Sequence, residues 1–84
     1  MIELETLKKK IIYSANYRGT KEMDILLSKF VDKYIDTFSK IELEQLYSFL
    51  SLEDEVIYNF YITKKIDKKI EKNKILDIFS NFKI

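Results

Sequence analysis

A chain of 84 residues with 46% hydrophobic content, and with fourteen lysines and one arginine set against fourteen carboxylates, has room for one domain and carries a net charge of +1. Such a domain buries only about 60 to 65% of its unfolded surface, and without cysteine it has no disulfide or thiolate metal site to help it, so apolar packing must supply its stability. The charge balance is too even for the electrostatic footprint of a nucleic-acid binder, the absence of histidine leaves nothing that titrates near neutrality in an ordinary environment, and no apolar run approaches the ~18 residues that cross a bilayer.

Met1 to Lys10 lack both the apolar stretch of a signal peptide and an Arg-rich transit composition, which gives the expectation of a soluble cytoplasmic protein without membrane insertion. Proline is absent and glycine occurs once, so the usual punctuation of turns and hairpins is almost missing and helices are favoured throughout. Leu4, Leu7, Ile11 and Ala15 repeat at helical spacing, with Glu3 and Glu5 near the positive end of that first helix. After Asn16-Tyr17-Arg18-Gly19, the residues Met23, Leu26, Leu27, Phe30, Val31, Tyr34 and Phe38 mark the apolar face of a second helix, the strongest periodic signal in the chain.

Ser39 followed by Glu42 is a capping-box pattern that opens a third helix through Leu43, Leu46, Tyr47 and Leu50. Ser51 is expected to cap a short fourth helix, with Glu53, Asp54 and Glu55 in its first turn and some of Val56, Ile57, Phe60 and Tyr61 buried. A fifth helix is expected over Ile66, Ile70, Ile75, Ile78, Phe79 and Phe82, with lysines 64, 65, 68, 69, 72 and 74 around it. The whole of 1–84 thus reads as one all-α domain, a compact five-helix bundle in which short connections join antiparallel neighbours.

The sole arginine and the sole glycine are adjacent, Arg18 and Gly19, at the junction of the first two helices. Where every other cation is lysine, an arginine points to a need for a planar group with forked donors. Gly19 permits either a positive φ at the end of the first helix or a close approach of another backbone. Glu22 and Asp24 follow closely, and Arg18 and Glu22 are placed either to pair or to point outward together. On the residues alone, a helix stop followed by carboxylates at the next helix's N-terminus accounts for the pattern better than a binding site does.

The run Arg18-Gly19-Thr20-Lys21-Glu22-Met23-Asp24, with Leu26, Leu27 and Phe30 behind it, resembles the Arg-Gly-x-x-Glu-[Leu/Met]-Asp signature of the SdhE family, also called succinate dehydrogenase assembly factor 2. The resemblance extends through Glu53-Asp54-Glu55-Val56-Ile57-Tyr58-Asn59-Phe60, similar to that family's acidic segment followed by an apolar pair and a tryptophan, with Phe60 standing in the tryptophan's place. Tyr17 replaces a basic residue, Thr20 an apolar one and Val56 an aspartate.

The resemblance implies a non-enzymatic assembly factor that binds the flavoprotein subunit of succinate dehydrogenase, and sometimes of fumarate reductase, and promotes covalent attachment of FAD to a histidine of that subunit. It implies that FAD is not bound stably here, and the single glycine agrees, since no Gly-rich phosphate loop can be built from it. The partner-binding residues it implies are Tyr17, Arg18, Gly19, Lys21, Glu22, Asp24, Asp54 and Phe60. Arg18 is expected to fork onto partner oxygens and Gly19 to allow backbone approach. Phe60 is expected either to pack in the core or to touch the partner. The free chain is expected to be a monomer.

Two other readings remain. The lysine-rich final segment suggests a nucleic-acid-binding helical module, although Asp67, Glu71 and Asp77 are interspersed as on a solvated face. Lys8-Lys9-Lys10 with Ile11-Ile12 suggests a general helical adaptor or a membrane-surface module, but one short basic cluster binds membranes weakly. An independent enzyme has the least support, because no nucleophile motif or metal-ligand cluster is present and the serines lack an evident base.

Overall fold

The computed structural model describes residues 3–66, 68, 70 and 72–83. Among them are five helices and no strand: α1 (Leu4–Asn16), α2 (Lys21–Tyr34), α3 (Lys40–Leu50), α4 (Asp54–Thr63) and α5 (Lys74–Ser80). The all-α five-helix fold expected from the sequence is the one observed, with principal extents of 33 × 26 × 20 Å.

Helices α2, α3 and α5 each begin on a side-chain cap. Thr20 Oγ1 accepts the Met23 N–H at the start of α2. Ser39 and Glu42 form the expected reciprocal capping box at α3, with Glu42 Oε1 accepting the Ser39 N–H at 2.8 Å. Asn73 caps α5 by accepting the Leu76 N–H. Ser51 differs from the expectation. It closes α3 as C-cap, and its side chain donates back to Ser48 O, while the N-cap of α4 is Glu53 with no side-chain cap.

The helices meet along their apolar stripes. Leu7, Ile11 and Ala15 of α1 pack beneath Met23, Leu26, Leu27, Phe30 and Val31 of α2 and Leu43, Leu46 and Leu50 of α3. Leu4, by contrast, is 44% exposed, because the stripe of α1 enters the core only at Leu7. Phe30 and Phe79 are fully buried and meet edge to face at 5.0 Å, the preferred geometry for two rings with opposed quadrupoles. Phe49, Phe82 and Tyr61 extend this cluster around them, each with its ring centroid about 5.2 Å from Phe30 or Phe79.

The last helix is shorter than its periodicity predicts. Lys64, Lys65 and Ile66 lie outside any helix, and 67, 69 and 71 are outside the described residues. Helix α4 ends at Lys64, which takes the left-handed conformation (φ 63°) while its N–H still reaches Phe60 O, so the chain turns away and Ile66 remains 48% exposed. A seven-residue helix is not stable by itself. Burial of Ile75, Leu76 and Phe79 holds α5, together with the Tyr61 hydroxyl donating to Phe82 O at 2.7 Å, the Lys64 ammonium donating to Ser80 O, and a Lys74–Glu42 ion pair at 3.0 Å.

Candidate functional site

The four-residue turn Tyr17–Thr20 between α1 and α2 is organised around the Arg18 side chain, which is only 9% exposed. Arg18 Nη1 donates to Ser14 O in the last turn of α1 and to Leu50 O at the end of α3, both at 2.9 Å. Nη2 donates to Leu52 O at 3.2 Å, and Nε donates to Asp54 Oδ1 at 2.7 Å, with Nη2 also 2.6 Å from that oxygen. Helix C-termini leave carbonyls without intrahelical partners and carry partial negative charge, so one guanidinium here answers two of them and the carboxylate that opens α4. Lysine, with three donors on one atom, lacks the span to do the same.

The turn's backbone is held by two carboxylates. Asp24 Oδ1 accepts the Arg18 N–H at 2.6 Å, and Asp54 Oδ2 accepts the Gly19 N–H at 2.8 Å. Gly19 has no positive φ, so the conformational reason expected for it does not apply. What an added Cβ would meet is Asp54 Oδ2 at 3.3 Å, a tight contact that a shift of a few tenths of an ångström in a carboxylate held by Arg18 would have to relieve. The close approach expected at Gly19 exists, but it is made by a side chain of this chain rather than by another backbone.

Arg18 and Glu22 do not pair, and the fork expected toward a partner is spent internally. Glu22 is exposed and makes no hydrogen bond or ion pair among the described residues. Lys21 beside it is also exposed. Tyr17 is 71% exposed, its ring 4.5 Å from that of Tyr13 one turn earlier on α1. Phe60 is 4% exposed and packs against Phe49 and Phe79, so of its two expected roles the structure places it in the core.

Between α2 and α4 runs a shallow cleft of about 400 Å³, lined by Thr20, Glu22, Met23, Asp54 and Tyr58. Past Glu22 and Tyr58 it continues into a second hollow beside Ile25, Leu26 and Tyr61. Tyr58 and Ile25 are 44% and 39% exposed, giving the cleft an apolar wall with one free carboxylate at its head. Sequence reasoning named Tyr58 only in passing and Ile25 not at all, since each lies off the apolar stripe of its own helix. Among the described residues no group of His, Cys, Asp or Glu has the arrangement of a metal site. The arrangement therefore offers recognition, by one carboxylate, a hydroxyl-bearing ring and apolar surface.

The profile of the family described as Flavinator of succinate dehydrogenase, Sdh5, matches residues 9–83. Succinate dehydrogenase assembly factor 2 of Meyerozyma guilliermondii is 36% identical over 63 residues, 75% of this chain and 46% of that protein. The same factor from Debaryomyces hansenii is 31% identical over 80 residues, 89% of this chain and 56% of that protein. Assembly factor 2-B of Drosophila yakuba is 40% identical over 58 residues, covering 66% of this chain and 37% of the relative. The chain thus spans about half the length of the curated relatives it matches. No solved structure matches it. These relatives are named as mitochondrial proteins and lend no support to the cytoplasmic location expected above, while among the described residues no helix is long and apolar enough to cross a membrane. The match across nearly all of the five helices, together with the Arg-Gly turn that the same residues build, makes this chain a member of the succinate dehydrogenase flavinator family.

Proposed function

We propose that this chain is an assembly factor that binds the flavoprotein subunit of succinate dehydrogenase and promotes covalent attachment of FAD to it. The observation that carries the reading is the family match over residues 9–83 combined with a rigidly held turn that presents the exposed Glu22 at the head of an apolar cleft. The bond-making atoms belong to the partner's histidine and to the flavin. This chain contributes position, by holding a conformation of the partner in which those two groups meet, and positioning alone is a sufficient source of rate. FAD is not held stably by the factor, which works as a monomer when free and inserts into no membrane. Exposed Tyr17 and Lys21 flank the turn and form the rim of the interface, where an aromatic ring contributes more energy than a solvated lysine.

The test is in-gel flavin fluorescence of the denatured flavoprotein subunit after incubation with FAD and either the wild-type chain or Glu22→Gln. Wild type is expected to raise covalent flavin above a factor-free control. Glu22→Gln, a surface change that leaves stability within about 0.5 kcal/mol, is expected to reduce that gain. Covalent flavin no higher with wild type than without it, using a flavoprotein subunit from the same source, rejects the reading.

A further inference from the structure

Four of the five N–H groups of the Arg18 guanidinium are bonded to oxygens of its own chain, namely Ser14 O, Leu50 O and Leu52 O on the main chain and Asp54 Oδ1, with Nη2 also in ion-pair contact with Asp54 Oδ1. To fork onto another molecule, Arg18 would have to release the ends of α1 and α3 and leave a nearly buried cation with its partner carboxylate half satisfied, which is strongly unfavourable. Glu22, four residues on, is exposed and has no such engagement among the described residues. The family signature therefore divides into a part that faces inward and a part that faces out.

From this division we infer that Arg18 and Asp54 are positioning residues, forming an internal lock that fixes the α1–α2 turn to the start of α4 and so sets where Glu22 stands over the α2–α4 cleft; the flavoprotein partner touches Glu22, Met23 and Tyr58, and not the guanidinium. The partner's identity rests on the assembly-factor reading, whereas the lock is a property of the free chain. Asp54 is the centre of it. One oxygen holds the Arg18 side chain, the other holds the Gly19 N–H, and the same residue lines the cleft that Glu22 heads. Asp24 closes the remaining freedom by taking the Arg18 N–H from the α2 side. Gly19 then belongs to the lock through its N–H, beside which an added Cβ would crowd the same carboxylate oxygen.

The lock makes two kinds of statement that a direct contact does not. In the free chain, loosening it exposes the Gly19 amide to solvent. In the complex, it acts through Glu22, so its effect must shrink once Glu22 is gone. The experiment compares wild type, Arg18→Lys, Asp54→Asn, Glu22→Gln and the Arg18→Lys/Glu22→Gln double variant, all at a temperature where circular dichroism shows them folded. Amide hydrogen exchange at Gly19 is read on the free chain by NMR, and affinity for the flavoprotein subunit by calorimetry. Arg18→Lys and Asp54→Asn are each expected to speed Gly19 exchange and weaken binding by about tenfold, the effect of losing a hydrogen bond to a charged group. Glu22→Gln is expected to weaken binding with Gly19 exchange unchanged, and in its background Arg18→Lys should cost much less affinity than in wild type.

An Arg18→Lys chain that loses affinity while Gly19 exchanges as in wild type, or that loses affinity by the same factor with and without Glu22, overturns the inference in favour of direct contact by Arg18. Should either lock variant fail to fold, Asp54→Glu, which keeps the charge but shifts the carboxylate by one methylene, is expected to speed Gly19 exchange in a folded chain; unchanged exchange there overturns the lock as well. A wild-type chain that binds no flavoprotein removes the functional reading and leaves the lock to be judged by Gly19 exchange alone.

Discussion

The α1–α2 turn is fastened by one guanidinium and two carboxylates, whereas α5 is fastened by the rings of Phe79 and Phe82 sunk among Phe30, Phe49 and Tyr61. Both segments are held by residues far away in the sequence. They differ in what the fastening specifies. Apolar burial is non-directional and roughly proportional to area, so it gives α5 most of its stability and little orientational precision. Hydrogen bonds contribute less net free energy but fix angles, so the turn gains a defined pose at modest stabilisation. A region that holds a side chain in a fixed direction is built in the second way, and a region that completes the core is built in the first.

The largest effect should come from the apolar side of this comparison. Phe79→Ala removes a fully buried ring and leaves a cavity in the aromatic cluster, costing about 3 to 5 kcal/mol out of the roughly 4 to 12 kcal/mol available to a domain of this size. Urea unfolding followed by circular dichroism is expected to show the midpoint moved to markedly lower denaturant, by that loss divided by the slope of the transition. A loss under about 1 kcal/mol would mean that α5 is a loosely held appendage and that the contrast with the turn is false.

Asp54→Asn should lie below it in stability and above it in specificity. It weakens the pairing with Arg18 across a boundary that is still 25% exposed on the Asp54 side, and is expected to cost about 2 kcal/mol by the same urea titration. If instead its cost equals that of Phe79→Ala, the lock carries the fold as well as the pose.

The smallest effect concerns acid. The Ser39 amide, and after it the Lys74 ammonium, hold the Glu42 carboxyl below its ordinary range. A carboxyl whose pKa is lowered on folding binds fewer protons in the folded than in the unfolded state, so its stabilisation is fully present above the unfolded value and fades as pH falls through that value toward the lowered one. Glu42→Gln should flatten that part of the acid limb of the stability curve and leave the α1–α2 turn untouched. An acid limb identical to wild type would show that this link between the starts of α3 and α5 contributes nothing.

Most of the bundle is legible in the pattern of apolar residues. The stripes of α1 through α3, the capping box at Ser39 and the carboxylates opening α4 are local features, read within a few residues of where they act. Phe49 was missed because it sits between Ser48 and Leu50, off the stripe traced through Leu43, Leu46, Tyr47 and Leu50, yet it is 4% exposed because α5 covers that side of α3 as well. The length of α5 was overestimated because isoleucines at helical spacing continue backwards past Lys64, where the left-handed turn diverts the chain.

At the site, the isolation of Arg18 and Gly19 in a chain of lysines was a true signal of special chemistry. What it was for depended on Asp54, which lies 36 residues from Arg18 in the sequence and is linked to it by no period or motif spacing. Local reasoning left Arg18 either to pair with Glu22 or to point outward, and left Gly19 either a positive φ or a close approach. One carboxylate arriving from α4 takes the Arg18 side chain and makes the close approach at Gly19, which has no positive φ.

That carboxylate also imposes an order on the protein's own making. The long contacts that complete the turn span 32 to 36 residues, so they close only after the chain through Asp54 has been synthesised and α4 has docked beside α3. Before then the Arg-Gly segment has only its local contacts, with Ser14 O and Asp24, to hold it. The final pose of Glu22 over the cleft therefore exists only once the chain has folded through α4.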